Sequence, residues 1–234
     1  MSKFDLEKFA TAQELADAAA RQWLAALPEG KPYAVALSGG RIARKLFSAI
    51  ANSPQAARKL NSVHFFWGDE RCVPPTDPES NFALARDLLL GPLRIPAERI
   101  HRIKGEEPPA EAAREAEADL RSSVPLAGNE QPVLDLVFLG MGEDGHVASL
   151  FPGEPREMVN DPSVYRPITA TKPPPQRITL GYPALTAASE AWVLASGAGK
   201  EQALRTSIAP NTDTPLARVL QARRHTRIFS DIAL

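Results

Sequence analysis

Three short segments hold residue types that could do chemistry. Asp144-Gly145-His146 sets a carboxylate and an imidazole two positions apart in a glycine-rich stretch. A neutral imidazole can take a proton from water near neutral pH, and a nearby carboxylate can orient it. The bland alternative is a structural histidine; a place after a strand, in a flexible loop, favours the base. Ser38-Gly39-Gly40 follows an apolar run and opens a helical one. Such a turn lets backbone approach an anion at the N–H groups of a helix start. A plain tight turn would look the same, but Arg41 and Arg44 just behind it add positive charge. Asp69-Glu70-Arg71 ends a second apolar run, and its charges are expected outside the core, as a solvated rim or part of the same pocket. Arg177 and Lys200 stand at element boundaries, where a lone cation is ordinarily a surface charge. Lys200 at a helix start opposes the dipole's preference for acids, a conflict that a bound anion would resolve.

Several competing chemistries lack their residues. Gly140, Gly142 and Gly145 spell G-x-G-x-x-G. A dinucleotide turn needs a helix directly afterwards and an acid about 20 positions on. Here Pro152 stops any helix within two turns, and Asp144 and His146 have no purpose in such a turn, so no nucleotide cofactor is expected. The Gly-Lys-Ser/Thr ending of a P-loop is absent. His64, His101, His146 and His225 are widely spaced and H-E-x-x-H is missing, so no metal site is expected. Without G-x-S-x-G a serine nucleophile is disfavoured. Hydrolysis, if it occurs, is expected to use water activated by a base.

These segments need strands and helices to hold them. Tyr33–Leu37, Val63–Trp67 and Leu134–Leu139 are short apolar runs that predict buried strands, each ending at one of the polar segments. Arg177–Leu180, Ala191–Ala195 and Thr226–Phe229 predict further strands, and Ile100–Ile103 a short one. Helical spacing predicts helices over Glu14–Leu27 and Arg41–Ile50, one capped by Ser80 or Asn81 that runs to about Leu90, a solvated one over Ala110–Arg121, and one opened by Gly197–Lys200. Alternating strands and helices imply an α/β fold: a three-layer, Rossmann-like, mostly parallel sheet with helices on both faces. In such sheets ligands bind beyond the carboxyl ends of the strands.

With 234 residues, no repeat and no linker, one domain over 1–234 is expected. The 27 basic and 28 acidic residues leave a net charge of −1, which argues against a nucleic-acid face or a polybasic membrane patch. Cys72 is the only cysteine, so a reducing cytoplasm is the expected compartment. The amino-terminal residues form no apolar signal region, and no run of about 18 apolar residues could span a membrane.

Taken together, Leu37-Ser-Gly-Gly40, Trp67-Gly-Asp-Glu-Arg71 with Val73-Pro74 and Ser80-Asn81, Gly140–Pro152, Lys172-Pro-Pro with Arg177-Ile-Thr-Leu180, and Gly197-Ala-Gly-Lys200 resemble the 6-phosphogluconolactonases, relatives of the glucosamine-6-phosphate isomerases. The resemblance runs along nearly the whole chain in the family's order. It implies a cytosolic, metal-free and cofactor-free esterase of the oxidative pentose phosphate pathway, acting as a monomer or weak homodimer. By the same resemblance the Ser38–Gly39–Gly40 turn, Arg177 and Lys200 hold a phosphate, Asp144 and His146 serve the lactone carbon, and Arg71 lies near the sugar. One departure stands out. The family commonly follows Ser-Gly-Gly with Ser/Thr-Pro, where this chain has Arg41-Ile42, so a guanidinium replaces a hydroxyl beside the expected phosphate. A sugar-phosphate isomerase or deaminase, and a non-catalytic sugar-phosphate-binding protein, stay open as alternatives.

Overall fold

A computed structural model describes residues 3–233. Met1, Ser2 and Leu234, which the single-domain expectation includes, lie outside the described residues. Nine strands are formed among those described: β1 Phe4–Lys8, β2 Tyr33–Leu37, β3 Val63–Trp67, β4 Asp69–Arg71, β5 Leu136–Gly140, β6 Tyr165–Thr169, β7 Gln176–Leu180, β8 Glu190–Ala195 and β9 Thr226–Ser230. The helices are α1 Ala12–Ala26, α2 Arg41–Ala51, α3 Ala56–Lys59, α4 Asn81–Ala85, α5 Pro109–Ser123, α6 Arg156–Val159, α7 Tyr182–Ala187, α8 Glu201–Ile208 and α9 Pro215–Ala222.

Six strands form one parallel sheet in the order β1-β9-β8-β5-β2-β3. Its inner strands are almost continuously buried, as a parallel sheet covered on both faces requires. The edge strand β1 instead alternates Phe4 and Leu6 with Asp5 and Glu7 and is only half-buried, a charged edge that discourages pairing with another chain. Trp23 of α1 meets Phe138 of β5 edge-on at 5.3 Å, and Phe138 meets Trp192 of β8 at 5.8 Å. Alanines at 16, 18, 19 and 20 on the buried side of α1 let it lie close to its neighbours.

The expected mostly parallel, layered sheet is found, with one correction. Arg177–Leu180 is not part of it. This segment is β7, the centre of a separate antiparallel sheet ordered β4-β7-β6. Gly68 is the pivot between the sheets. Its N–H donates to Leu37 O of β2, and its own carbonyl accepts from Leu180 N of β7, both at 2.8 Å. The buried Tyr165 hydroxyl donates to Trp67 O at 2.7 Å and adds a second tie. Ile100–Ile103 makes a single bridge, Ile100 to Phe65, and no strand. The helix begun by Ser80 leaves α-geometry after Ala85 and finishes as a π-turn over Arg86–Leu90.

Candidate active site

The chain passes from β2 to β3 on one side and later places β5 on the other side of β2. Between β2 and β5 the sheet order therefore reverses, and a crevice opens at the carboxyl ends of the strands. A cavity of about 280 Å³ sits there. It is lined by Ser38, Gly39, Gly40, Arg41, Arg71, His146, Arg177 and Lys200, so eight of the nine residues singled out by sequence converge. Asp144 is the ninth, and it does not line the cavity. It lies behind His146, with Oδ1 2.6 Å from Nδ1 and 3.1 Å from the His146 N–H, which donates to it. Burial raises the Asp144 pKa, but the His146 N–H and imidazole outweigh this and hold the carboxyl below its ordinary range. An ionised carboxylate only accepts hydrogen bonds, so Nδ1 carries the proton and Nε2 is the basic nitrogen.

The local sequence explains how the loop achieves this. A Cβ on Gly142 would lie 2.0 Å from Nδ1 of His146, so only glycine leaves room for the ring against the backbone. Gly142 N donates to His146 O at 2.9 Å and closes the loop on itself. The G-x-G-x-x-G spelling is thus a frame for an imidazole; the residues after it form turns and no long helix. Phe151 flanks the imidazole at 4.8 Å.

The Ser38 turn is pinned from two directions. Ser38 Oγ accepts from Gly140 N at 3.4 Å, which joins the ends of β2 and β5. Asn81 Oδ1 occupies the space over Gly39, 1.8 Å from where a Cβ would be. Asn81 Nδ2 donates to Asp69 O at 2.9 Å, so this side chain locks the turn to β4.

The cations form two like-charged pairs. Arg71 and Arg177 are direct cross-strand partners of β4 and β7, an arrangement that repels unless an anion lies between. Burial and then Arg71 lower the Arg177 pKa. Arg177 is held by Nε donating to Pro174 O at 3.0 Å and Nη2 to Lys172 O at 3.3 Å. Arg71 is half-tied to the rim, donating to Glu79 O at 2.5 Å, while its buried Nε has no partner among the described residues. Lys200 precedes α8, and burial and then Arg41 lower its pKa, opposed by Glu143 and Asp231. Asp231 accepts from Gly197 N at 3.1 Å and Ser196 Oγ at 2.9 Å, fixing the turn before Lys200. The guanidinium of Arg41 reaches this turn, with Nη2 3.8 Å from the Cβ position of Gly197.

Of the two acids of β4, the sequence reading fails for Glu70. Glu70, expected at a rim or pocket, is 2% exposed and does not line the cavity. It accepts from the N–H groups of Arg71, Asn81 and Phe82 and from Ser80 Oγ, and so anchors the start of α4. Asp69 lines the cavity, in keeping with the pocket alternative for its segment, though it is buried; Asn81, Glu143 and Lys172 line it without having been proposed as site residues.

The model of the family described as glucosamine-6-phosphate isomerases/6-phosphogluconolactonase matches residues 7–229. The chain belongs to this family. A Nostoc protein named 6-phosphogluconolactonase is 42% identical over 185 residues, which cover 77% of this chain and 73% of that one. A Haemophilus influenzae protein of the same name is also 42% identical, over 62% of this chain and only 60% of its own length. The solved structure of 6-phosphogluconolactonase from Trypanosoma brucei superposes with a TM-score of 0.86 at 28% identity, covering 98% of this chain and 97% of that one. Among the described residues no helix is long and apolar enough to cross a membrane.

Proposed function

We propose that this chain hydrolyses 6-phospho-D-glucono-1,5-lactone to 6-phospho-D-gluconate, the activity for which its relatives are named. The observation that carries the reading is His146, oriented by Asp144, in the same small cavity as two pairs of mutually repelling cations. Two cations held side by side favour an anion between them, and a lactone bearing a phosphate brings that anion. Binding energy from the phosphate, far from the reacting bond, then places C1 beside the base. His146 Nε2 takes a proton from water as its oxygen bonds to C1. Arg71 and the backbone amides of the 140–146 loop are the candidate donors to the oxyanion. The C1–ring oxygen bond breaks, and the imidazolium returns the proton to the departing oxygen. Asp144 acts through His146 alone, as a carboxylate that fixes the tautomer.

Phosphate contacts are assigned to the Ser38–Gly39–Gly40 turn, Arg41, Arg177 and Lys200. A single cytoplasmic domain, monomeric or weakly dimeric and free of cofactors, completes the proposal; light scattering of the purified chain tests its oligomeric part. The deciding experiment generates the lactone with glucose-6-phosphate dehydrogenase and follows its decay. The chain is expected to accelerate decay above the spontaneous rate, with the acceleration intact in EDTA and no ammonia released from glucosamine 6-phosphate. Unaccelerated decay, or ammonia release, would overturn the reading.

A further inference from the structure

Asp69 is a carboxylate in a place where carboxylates are costly. It is 4% exposed and lines the cavity that is meant to receive a dianion. Three elements hold it. Its backbone lies in β4, opposite Thr179. Ser149 Oγ, three residues beyond His146, donates to Oδ2 at 2.7 Å. Asn81 Nδ2, at the start of α4, reaches Oδ1 only at a long 3.4 Å. One carboxylate oxygen is thus firmly satisfied and the other is not. Ser149 and Asn81 are themselves fixed: Ser149 N donates to Thr179 Oγ1 at 3.2 Å, and both residues are at most 2% exposed. The result is a rigid acceptor with spare capacity.

The rest of the cavity is rich in donors. Arg41, Arg71, Lys172, Arg177, Lys200 and the turn amides suit phosphate and carbonyl oxygens. The hydroxyls of a sugar lactone also need an acceptor. Glu143 is exposed and at the rim, whereas Asp69 is buried and immobile. We propose that Asp69 accepts a hydrogen bond from a ring hydroxyl of the substrate and makes this site selective for polyhydroxylated lactones over deoxy analogues. The inference rests on the lactonase reading and adds a specificity residue to it. The rival account makes Asp69 a counter-charge for Arg71 and Arg177, and Arg177 does feel its field.

The two accounts separate on a panel of 6-phospho-1,5-lactones lacking one hydroxyl at C2, C3 or C4, compared with the full lactone. A hydrogen bond to a charged group is worth about 1.5–3 kcal/mol, or about tenfold to a hundredfold in kcat/KM. The wild-type chain should disfavour one deoxy lactone by that factor. Asp69→Asn should slow the full lactone comparably, leave that deoxy lactone nearly unchanged and so erase the discrimination, with the acid limb of the pH profile unmoved. Ser149→Ala, which keeps the carboxylate but frees it to turn, should weaken the discrimination in the same direction and serves if Asp69→Asn fails to fold. A wild type that accepts all the lactones alike overturns the proposal. So does an Asp69→Asn variant that alters every lactone equally while tightening inhibition by inorganic phosphate, the signature of a counter-charge. Should the wild type turn over no lactone, the lactonase reading fails. Calorimetric titration with 6-phosphogluconate and its deoxy analogues then makes the same comparison on binding alone.

Discussion

At the scale of residues, the proposed function separates a base from the groups that would hold its target, and the two should fail differently. His146→Asn preserves size and hydrogen bonding but cannot accept the proton. It is expected to lower kcat by about 10²–10⁴-fold while product binding survives; an unchanged kcat would place the base elsewhere. Lys200→Ala and Arg177→Ala are each expected to raise KM by about tenfold to a hundredfold, since each would lose the proposed charge-assisted contact to phosphate. Steady-state kinetics that show wild-type KM in both would displace the phosphate site. Most of this site was legible because polar residues directly after apolar runs can only stand at strand ends. What was not legible came from burial and pairing. Glu70 entered the core because a helix start supplied its hydrogen-bond donors. Arg71 and Arg177 became neighbours through an antiparallel register between segments far apart in sequence, which no local pattern encodes.

Elements tell a similar story. The buried strands were readable as apolar runs, but their sheet membership was not, because Gly68 redirects the chain within one residue from β3 into β4. β1 carries an alternation that fits a half-buried strand, yet five residues of it are a weak signal until β9 pairs with them. A titratable cluster joins β3 to α5. His64 Nδ1 lies 2.9 Å from His101 Nε2, and His101 Nδ1 lies 2.9 Å from Asp119 Oδ2. The His101 ring stacks on Phe66 at 4.3 Å. Burial, then His101 and Arg99, lower the His64 pKa, against a smaller opposing pull from Asp119. A histidine whose pKa is depressed on folding binds fewer protons in the folded state. Stability is therefore unaffected well above the unfolded value of about 6.5 and declines as pH falls below it. Between pH 7 and pH 5 the melting temperature of the wild type should drop more than that of His64→Gln. Parallel curves would show that the pair bears no such cost.

For the whole molecule, the two sheets share one seam. Gly68 bonds to both, Tyr165 crosses from β6 to Trp67, and Arg166 of β6 grips Glu154 at 2.7 Å in a nearly buried ion pair just beyond the His146 loop. The small sheet therefore cannot leave without uncovering the site. Unfolding in urea should show one transition, with tryptophan fluorescence and loss of product binding coinciding. Two separated midpoints would make the small sheet an independent unit. The pairing of β1 with β9 reaches further, into the history of each newly made chain. Phe4 aligns with Thr226, and Lys3 O receives the Thr226 N–H at 3.0 Å. During synthesis β1 precedes its partner by roughly 220 residues, so the pair can close only after that length of chain has been made. Closing so long a loop is slow, and an unpaired edge is exposed meanwhile. Charges such as those of Asp5, Glu7 and Lys8 disfavour pairing of an open strand with another chain, so the residues that blunt the finished edge suit the unfinished one as well.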